Sequence, residues 1–252
     1  AVGDRVAVQV EKCPEALAVY AACVQSGLVY LPLNAAYTPA EVSYFIENSG
    51  AKLFICQGSK EAELVAVAEK SGALLETFNA DGTGSFTELT RNKDDSFKTV
   101  ERDGEDLVAL LYTSGTTGRS KGAMLSQNNL LSNAETLVEL WEFTEKDVLL
   151  HALPIFHTHG LFVATNVTLA AGGSMIFMPK FDLDSIIENL PSATTMMGVP
   201  TFYTRLLNDS RFNKDLTQQM RLFISGSAPL LAETHVQFEA QTGHRILERY
   251  GM

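Results

Sequence analysis

The chain has no cluster of positive charge. Its 252 residues carry 19 Lys and Arg against 30 Asp and Glu, a net charge of −11. Without a basic run there is no electrostatic footprint for nucleic acid or an anionic membrane surface, so neither is expected as a partner. No apolar run approaches the roughly 20 residues needed to span a bilayer. Cysteine is scarce: Cys13, Cys23 and Cys56 show no Cys-x-x-Cys or Cys/His spacing. That argues against a thiolate metal centre or a disulfide framework and fits reduced cysteines in a cytoplasmic protein. No His-Glu-x-x-His pattern suggests a protein-held metal. The start, Ala1-Val2-Gly3-Asp4, lacks the basic region and apolar core of a signal peptide.

What the chain does have is apolar residues, 46% of the total, enough for a large core in one big domain or two close subdomains. Strand-like and helix-like runs alternate. Strands are expected at Arg5–Val10, Tyr30–Leu33 and Lys52–Cys56, with helices at Pro14–Ser26 and Glu61–Lys70. Thr38-Pro39-Ala40-Glu41 combines an N-cap hydroxyl, a proline at the first helical position and a glutamate that completes a capping box. The polar stretch 79–106, with Gly82, Gly84 and Arg91-Asn92-Lys93-Asp94-Asp95, reads as a surface excursion between subdomains.

Beyond it, strands are expected at Leu107–Tyr112, Val148–Leu153, Met175–Met178, Thr195–Val199, Leu222–Ser225 and Arg245–Glu248. Helices are expected from Ser126 to about Phe143, over Thr158–Ala171, Leu183–Asn189 and Leu230–Gln241, and from Pro200 through Arg205. The alternation predicts an α/β fold of two similar subdomains, residues 1–100 and 101–252, with largely parallel sheets flanked by helices.

One stretch carries chemistry: Tyr112-Thr113-Ser114-Gly115-Thr116-Thr117-Gly118-Arg119-Ser120-Lys121-Gly122. An apolar strand leads into three glycines, a run of hydroxyls and a lysine. Glycine lets backbone approach a ligand closely. Hydroxyls, backbone N–H groups and a lysine point charge together suit phosphate oxygens. The order is not that of a Walker A loop, because Ser120 precedes the lysine and glycine follows it. A Gly/Ser/Thr surface loop is the plainer alternative. Three other loops follow expected strands: Pro154–Gly160, Ser225–Pro229 and Tyr250-Gly251. Ligands gather beyond the C-terminal strand ends of open α/β sheets.

The stretch resembles the phosphate-loop signature of adenylate-forming enzymes, the family of acyl-CoA synthetases, luciferases and peptide-synthetase adenylation domains. Other segments follow in the family's order. Ser26-Gly27-Leu28-Val29-Tyr30-Leu31-Pro32-Leu33-Asn34 is similar to its early segment, and Pro154-Ile155-Phe156-His157-Thr158-His159-Gly160 to its aromatic/histidine motif. Ser225-Gly226-Ser227-Ala228-Pro229-Leu230 is similar to its adenine-site loop, and Glu248-Arg249-Tyr250-Gly251-Met252 to the start of its Tyr-Gly-x-Thr-Glu motif. Many members have proline where this chain has Ser120; serine lacks the fixed φ of proline and is expected to alter loop mobility. Within the family, Met197–Arg205 and Gly118-Arg119-Ser120-Lys121-Gly122 look most like malonyl-CoA synthetases.

The resemblance implies an acid:CoA ligase. A carboxylate attacks the α-phosphorus of Mg-ATP, releasing pyrophosphate, and the thiol of coenzyme A then displaces AMP. The implied ligands are ATP, Mg²⁺, coenzyme A and a small acid, malonate or methylmalonate. Thr113, Ser114, Gly115, Thr116, Thr117, Gly118 and Lys121 would hold the phosphates, with Lys121 and His157 as the catalytic pair. Gly226, Ser227, Ala228, Pro229, Glu248, Arg249, Tyr250 and Gly251 would border the nucleotide. His157, Ser225, Gly226 and Arg205 would border the acid, Arg205 taking its second carboxylate with a planar guanidinium. A solvated or ion-paired Arg205 is the plainer alternative.

The chain has no initiating methionine and stops inside a family motif, so it reads as part of a longer polypeptide. It would lack a C-terminal lid domain and is expected to be nearly inactive alone. Two further readings stay open: an adenylating enzyme for another acid or a carrier protein, and a nucleotide-binding or interaction module without ligation chemistry.

Overall fold

The computed structural model describes residues 1–94, 96–113 and 120–251. It contains two compact units, Ala1–Leu131 and Ser132–Met252. The first opens with strand β1 (Arg5–Gln9), helix α1 (Pro14–Gln25) and β2 (Val29–Pro32). Then follow α2 (Pro39–Ser49), β3 (Leu53–Cys56), α3 (Glu61–Ser71), β4 (Leu74–Thr77), α4 (Ser85–Thr90), β5 (Leu107–Thr113) and β6 (Lys121–Ser126). Among the described residues these strands form a sheet of order β4-β3-β1-β2-β5-β6. All its neighbours are parallel except β5 and β6, which are antiparallel. The capping box at α2 forms as its sequence predicts: Thr38 accepts from the Glu41 N–H, and Glu41 accepts from the Thr38 N–H. Apolar residues of β1 to β3, including Leu31 and Phe54, pack on Val42, Phe45 and Ile46 of α2 and on Leu64 of α3.

The expected subdomain boundary after residue 100 falls after Leu131 instead. The excursion at 79–106 returns to its own unit: the Val100 N–H donates to the Gln25 carbonyl at the end of α1. β5 then enters the sheet beside β2, with Tyr30 opposite Ala109, and β6 pairs back along β5. Long-range strand pairing therefore places β5 and β6, the strands on either side of residues 114–119, in the first unit. β4, α4 and β6 were not expected from the sequence. β4 is a partly exposed edge strand and β6 is largely exposed, so neither shows a clear apolar pattern.

The second unit follows α5 (Gln127–Leu140), which crosses the boundary, with β7 (Val148–His151), a π-helical turn (His159–Thr165), α6 (Asn166–Ala170) and β8 (Ser174–Phe177). It continues through α7 (Leu183–Asn189), β9 (Thr195–Gly198), α8 (Pro200–Leu207), β10 (Leu222–Ser225), α9 (Ala232–Thr242) and β11 (Ile246–Glu248). Among the described residues the sheet is wholly parallel, in the order β11-β10-β9-β7-β8. Successive side chains point to opposite faces. Leu150, Met196 and Phe223 therefore join Tyr203, Phe212 and Phe238 on one side. Their chain neighbours Leu149, Met197 and Ile224 join Trp141, Phe143 and Val167 on the other. Both faces are covered, as parallel sheets require.

A charged fork pins the strand starts. Asp147, just before β7, accepts from Arg221 Nε and Nη2, each at 2.7 Å, and from the Thr194 hydroxyl at 2.8 Å and the Thr144 N–H at 2.9 Å. Arg221 also donates to the Trp141 and Glu142 carbonyls. Burial would raise the Asp147 carboxyl, but these donors, Arg221 foremost, hold it below the ordinary carboxylate range. Asp147→Ala leaves a guanidinium without its bidentate partner and is expected to cost about 2–4 kcal/mol in urea unfolding. A depressed folded pKa contributes stability above the unfolded value of roughly 3.9, lost as pH falls through the folded value. The gap between wild type and Asp147→Asn should therefore narrow below about pH 4. A gap independent of acid would show that the charge contributes nothing.

Candidate functional site

Three of the expected loops leave the same edge of the second sheet, because β7, β10 and β11 are parallel and in register. The Gly226 N–H donates to the Gly198 carbonyl, tying the β10 exit to β9, and the Arg249 N–H donates to the Ser225 carbonyl, tying the β11 exit to β10. The loops enclose a cavity of about 450 Å³, whose lining includes His157, His159, Val199, Ser227, Arg249 and Gly251. Ser227 has φ of +71°, a left-handed backbone that serine seldom adopts. Its Oγ lies 3.3 Å from His159 Nδ1. A side chain at Gly226 would bring a Cβ within 3.1 Å of both the His159 ring and the Arg249 stem. A side chain there would have to push these neighbours aside by a few tenths of an ångström, so glycine suits the position.

Buried polar atoms at this edge lack partners among the described residues: His159 Nε2, Ser225 Oγ and Arg249 Nε. Such groups are costly to leave unsatisfied, and they mark where a polar ligand would be accepted. Burial, with Arg249 adding its positive charge, pushes His159 down to about 4, so the ring is neutral near pH 7. Burial also lowers Arg249 from its ordinary value.

The predicted residues divide. His157, Ser227, Arg249 and Gly251 line the cavity. His157 is exposed beside Phe156, at 4.5 Å between ring centroids, while the buried imidazole is His159. The apolar run after His159, Gly160 to Ala164, was the available signal for its burial. Gly226 and the buried Ser225 sit at the exit of β10, and the exposed Ala228 and Pro229 follow. Tyr250 is 89% exposed.

Glu248 is turned to structural use: it accepts from the Leu230 N–H at 3.0 Å and pairs with His235 Nε2 at 3.0 Å. Arg205 is not among the cavity-lining residues. It is exposed in the last turn of α8, its guanidinium 4.5 Å over the Phe181 ring. The expected helix from Thr158 begins instead as a π-helical turn.

In the first unit, Thr113 and Lys121 face one another as the closing pair of the β5–β6 ladder. Ser114, Gly115, Thr116, Thr117 and Gly118 lie outside the described residues. The root of this loop has an unforeseen support: Tyr44 on α2 donates to the Ser120 carbonyl at 2.8 Å, directly before Lys121. Tyr112 packs edge-on to Tyr44 and donates to Asn48 Oδ1 at 2.6 Å. A larger cavity in this unit, about 560 Å³, is lined by Arg5, Asn48 and Arg102 among others and by none of the predicted site residues.

The chain belongs to the AMP-binding enzyme family, whose model matches residues 1–252. It is similar to a malonate–CoA ligase of Arabidopsis thaliana, 34% identical over 249 residues that make up 90% of this chain and 41% of that protein. The mitochondrial malonate–CoA ligase of Mus musculus is also 34% identical, over 90% of this chain and 41% of its own length. Among solved structures, ATP-bound MatB from Rhodopseudomonas palustris is 60% identical with a TM-score of 0.98, covering 100% of this chain and 50% of that one. The fold is thus that of the N-terminal region of adenylate-forming ligases. The chain spans about half the length of the relatives it matches.

Loss of the Tyr44 hydroxyl should loosen the loop root while sparing the packed ring. Tyr44→Phe is expected to raise the KM for ATP roughly three- to tenfold in the intact polypeptide, the worth of about one hydrogen bond. An unchanged ATP KM would reduce Tyr44 to a packing residue.

Proposed function

We propose that the intact protein is an ATP-dependent, AMP-forming malonate–CoA ligase, with methylmalonate as the alternative acid. The observation that carries the acid assignment is Arg249, a cavity-lining guanidinium with a buried, unpartnered Nε, beside a neutral His159 and Ser227. A dicarboxylate activated at one end leaves the other end charged. A planar fork in a desolvated cavity suits that free carboxylate better than an exposed arginine stacked on Phe181. We therefore assign the second carboxylate to Arg249 in place of Arg205.

With Nδ1 accepting from the Ser227 hydroxyl, His159 carries its proton on Nε2 and offers it to a carboxylate oxygen. His157, at the exposed side of the cavity, would orient the reacting carboxylate and steady developing charge. Thr113, the segment 114–118 and Lys121 would hold the phosphates. Gly226, Ala228, Pro229 and Tyr250 would border the adenine. Mg²⁺, when bound, would neutralise phosphate charge; Glu248, engaged with Leu230 and His235, is a poor candidate to hold it.

Bringing the acid and nucleotide together is the main contribution of such a site, since no covalent enzyme intermediate is needed. Coenzyme A would be the acceptor. Among the described residues no helix is long and apolar enough to cross a membrane. The three cysteines are buried and free, and burial raises Cys23 to about 12 and Cys56 to about 11, so both are inert. That suits a reducing compartment such as the cytoplasm.

Pyrophosphate release by the intact polypeptide with ATP, Mg²⁺ and coenzyme A should favour malonate or methylmalonate over acetate and octanoate. Arg249→Ala should raise the malonate KM roughly 10- to 100-fold, the loss of one charge-assisted contact. Arg205→Ala should change it by less than about threefold, as an exposed cation does. The opposite ranking would return the assignment to Arg205, and preference for octanoate would overturn the dicarboxylate reading.

A further inference from the structure

His151, the last residue of β7, is 1% exposed and is not itself among the cavity-lining residues, although its ring reaches one of them, Gly160. Its Nε2 lies 2.9 Å from the Gly160 carbonyl and 3.1 Å from Thr165 Oγ1. The Thr165 hydroxyl donates to the same carbonyl at 2.9 Å. We infer that His151 is a positioning residue: by holding the Gly160 carbonyl it sets the π-helical turn that aims His159 into the cavity.

The geometry leaves little freedom. A carbonyl can only accept, so His151 carries its proton on Nε2. A π turn is rare and is seen mostly as a local feature at functional sites. Here the turn spans His159–Thr165, with its second residue clamped from two directions. A Cβ at Gly160 would lie 2.0 Å from the Pro154 carbonyl oxygen, so Gly160 is pressed against the β7 exit on one side. His151 and Thr165, both fully buried, hold its carbonyl on the other.

The preceding residue is His159, whose ring meets Ser227 and the Gly226–Arg249 corner. Releasing the clamp would let the turn relax toward ordinary helical winding, which rotates His159 relative to its neighbours. A buried imidazole is an expensive way to fill core space, and the two hydrogen bonds to one carbonyl and its partner give this one a use. The edge-on contact of His151 with Phe177, 5.2 Å between centroids, fixes the ring plane for the task.

The test is an NMR pH titration of the His159 Cε1 signal in wild type, His151→Leu, His151→Gln and Thr165→Val. The charged group facing His159 is Arg249. In wild type the ring should stay neutral down to about pH 4. In folded His151→Leu the midpoint should rise by roughly one unit or more toward the ordinary 6.5. His151→Gln, which keeps an N–H donor near the Nε2 position, should remain within about 0.3 unit of wild type.

If His151→Leu fails to fold, Thr165→Val removes the other donor and should move the midpoint in the same direction. An unchanged midpoint in either folded variant, or glutamine behaving as leucine does, overturns the inference.

A kinetic arm rests on the dicarboxylate reading. His151→Leu should raise the malonate KM roughly tenfold, with the ATP KM nearly unchanged, while His151→Gln restores it. If wild type does not use malonate, that reading fails and the titration still decides the role of His151.

Discussion

The second unit depends on the in-register parallel pairing of β7, β9, β10 and β11. Parallel strands deliver every exit loop to one edge, and the connecting helices return the chain along both faces. That constraint places Pro154–Gly160, Ser225–Pro229 and Arg249–Gly251 around one cavity although they are separated by up to about a hundred residues of chain. The opposite edge is closed by the Asp147–Arg221 fork, which anchors the starts of β7 and β10 while Thr194 brings in the start of β9. Stability and function are thus divided between the two ends of the same strands.

The functional edge contains groups that a purely structural core would avoid. A serine sits in the left-handed region, a half-buried guanidinium has an Nε with no partner among the described residues, and an imidazole is buried deeply enough to stay neutral. Each is unfavourable alone, and the proposed anionic ligand would supply a partner for the guanidinium and the imidazole. The first unit supports its loop differently. Its phosphate-loop segment joins two antiparallel strands, and an aromatic cluster on α2 reaches the loop root through the Tyr44 hydroxyl. The glycine and hydroxyl content of the loop suits ligand contact; a hydrogen bond at its root comes from a residue 76 positions earlier.

Much of the secondary structure was legible from local pattern. The capping box at Thr38, the proline starts of α1, α2 and α8, and the apolar runs of β7, β9 and β10 are short-range signals. The edge elements were not legible. β4 and β6 lack the apolar alternation of half-buried strands, and their identity comes from pairing with β3 and β5. The subdomain boundary was misplaced for the same reason, because the long polar excursion looked like a linker until β5 was seen to join β2. The helix expected from Thr158 begins as a π turn in which Gly160 packs against the Pro154 carbonyl, a long-range contact that local sequence does not announce.

The sequence by itself determined the alternating α/β plan, the glycine- and hydroxyl-rich phosphate segment and the loops that follow strand ends, since these rest on periodicity and local chemistry. It also carried the motifs that mark the family. The tertiary structure decided which side chains share a cavity. It turned Glu248 to Leu230 and His235, set Arg205 on Phe181, and brought Arg249 and His159 to Ser227. Those choices depend on register between distant strands and on the burial it imposes, and neither is written in any local stretch of residues.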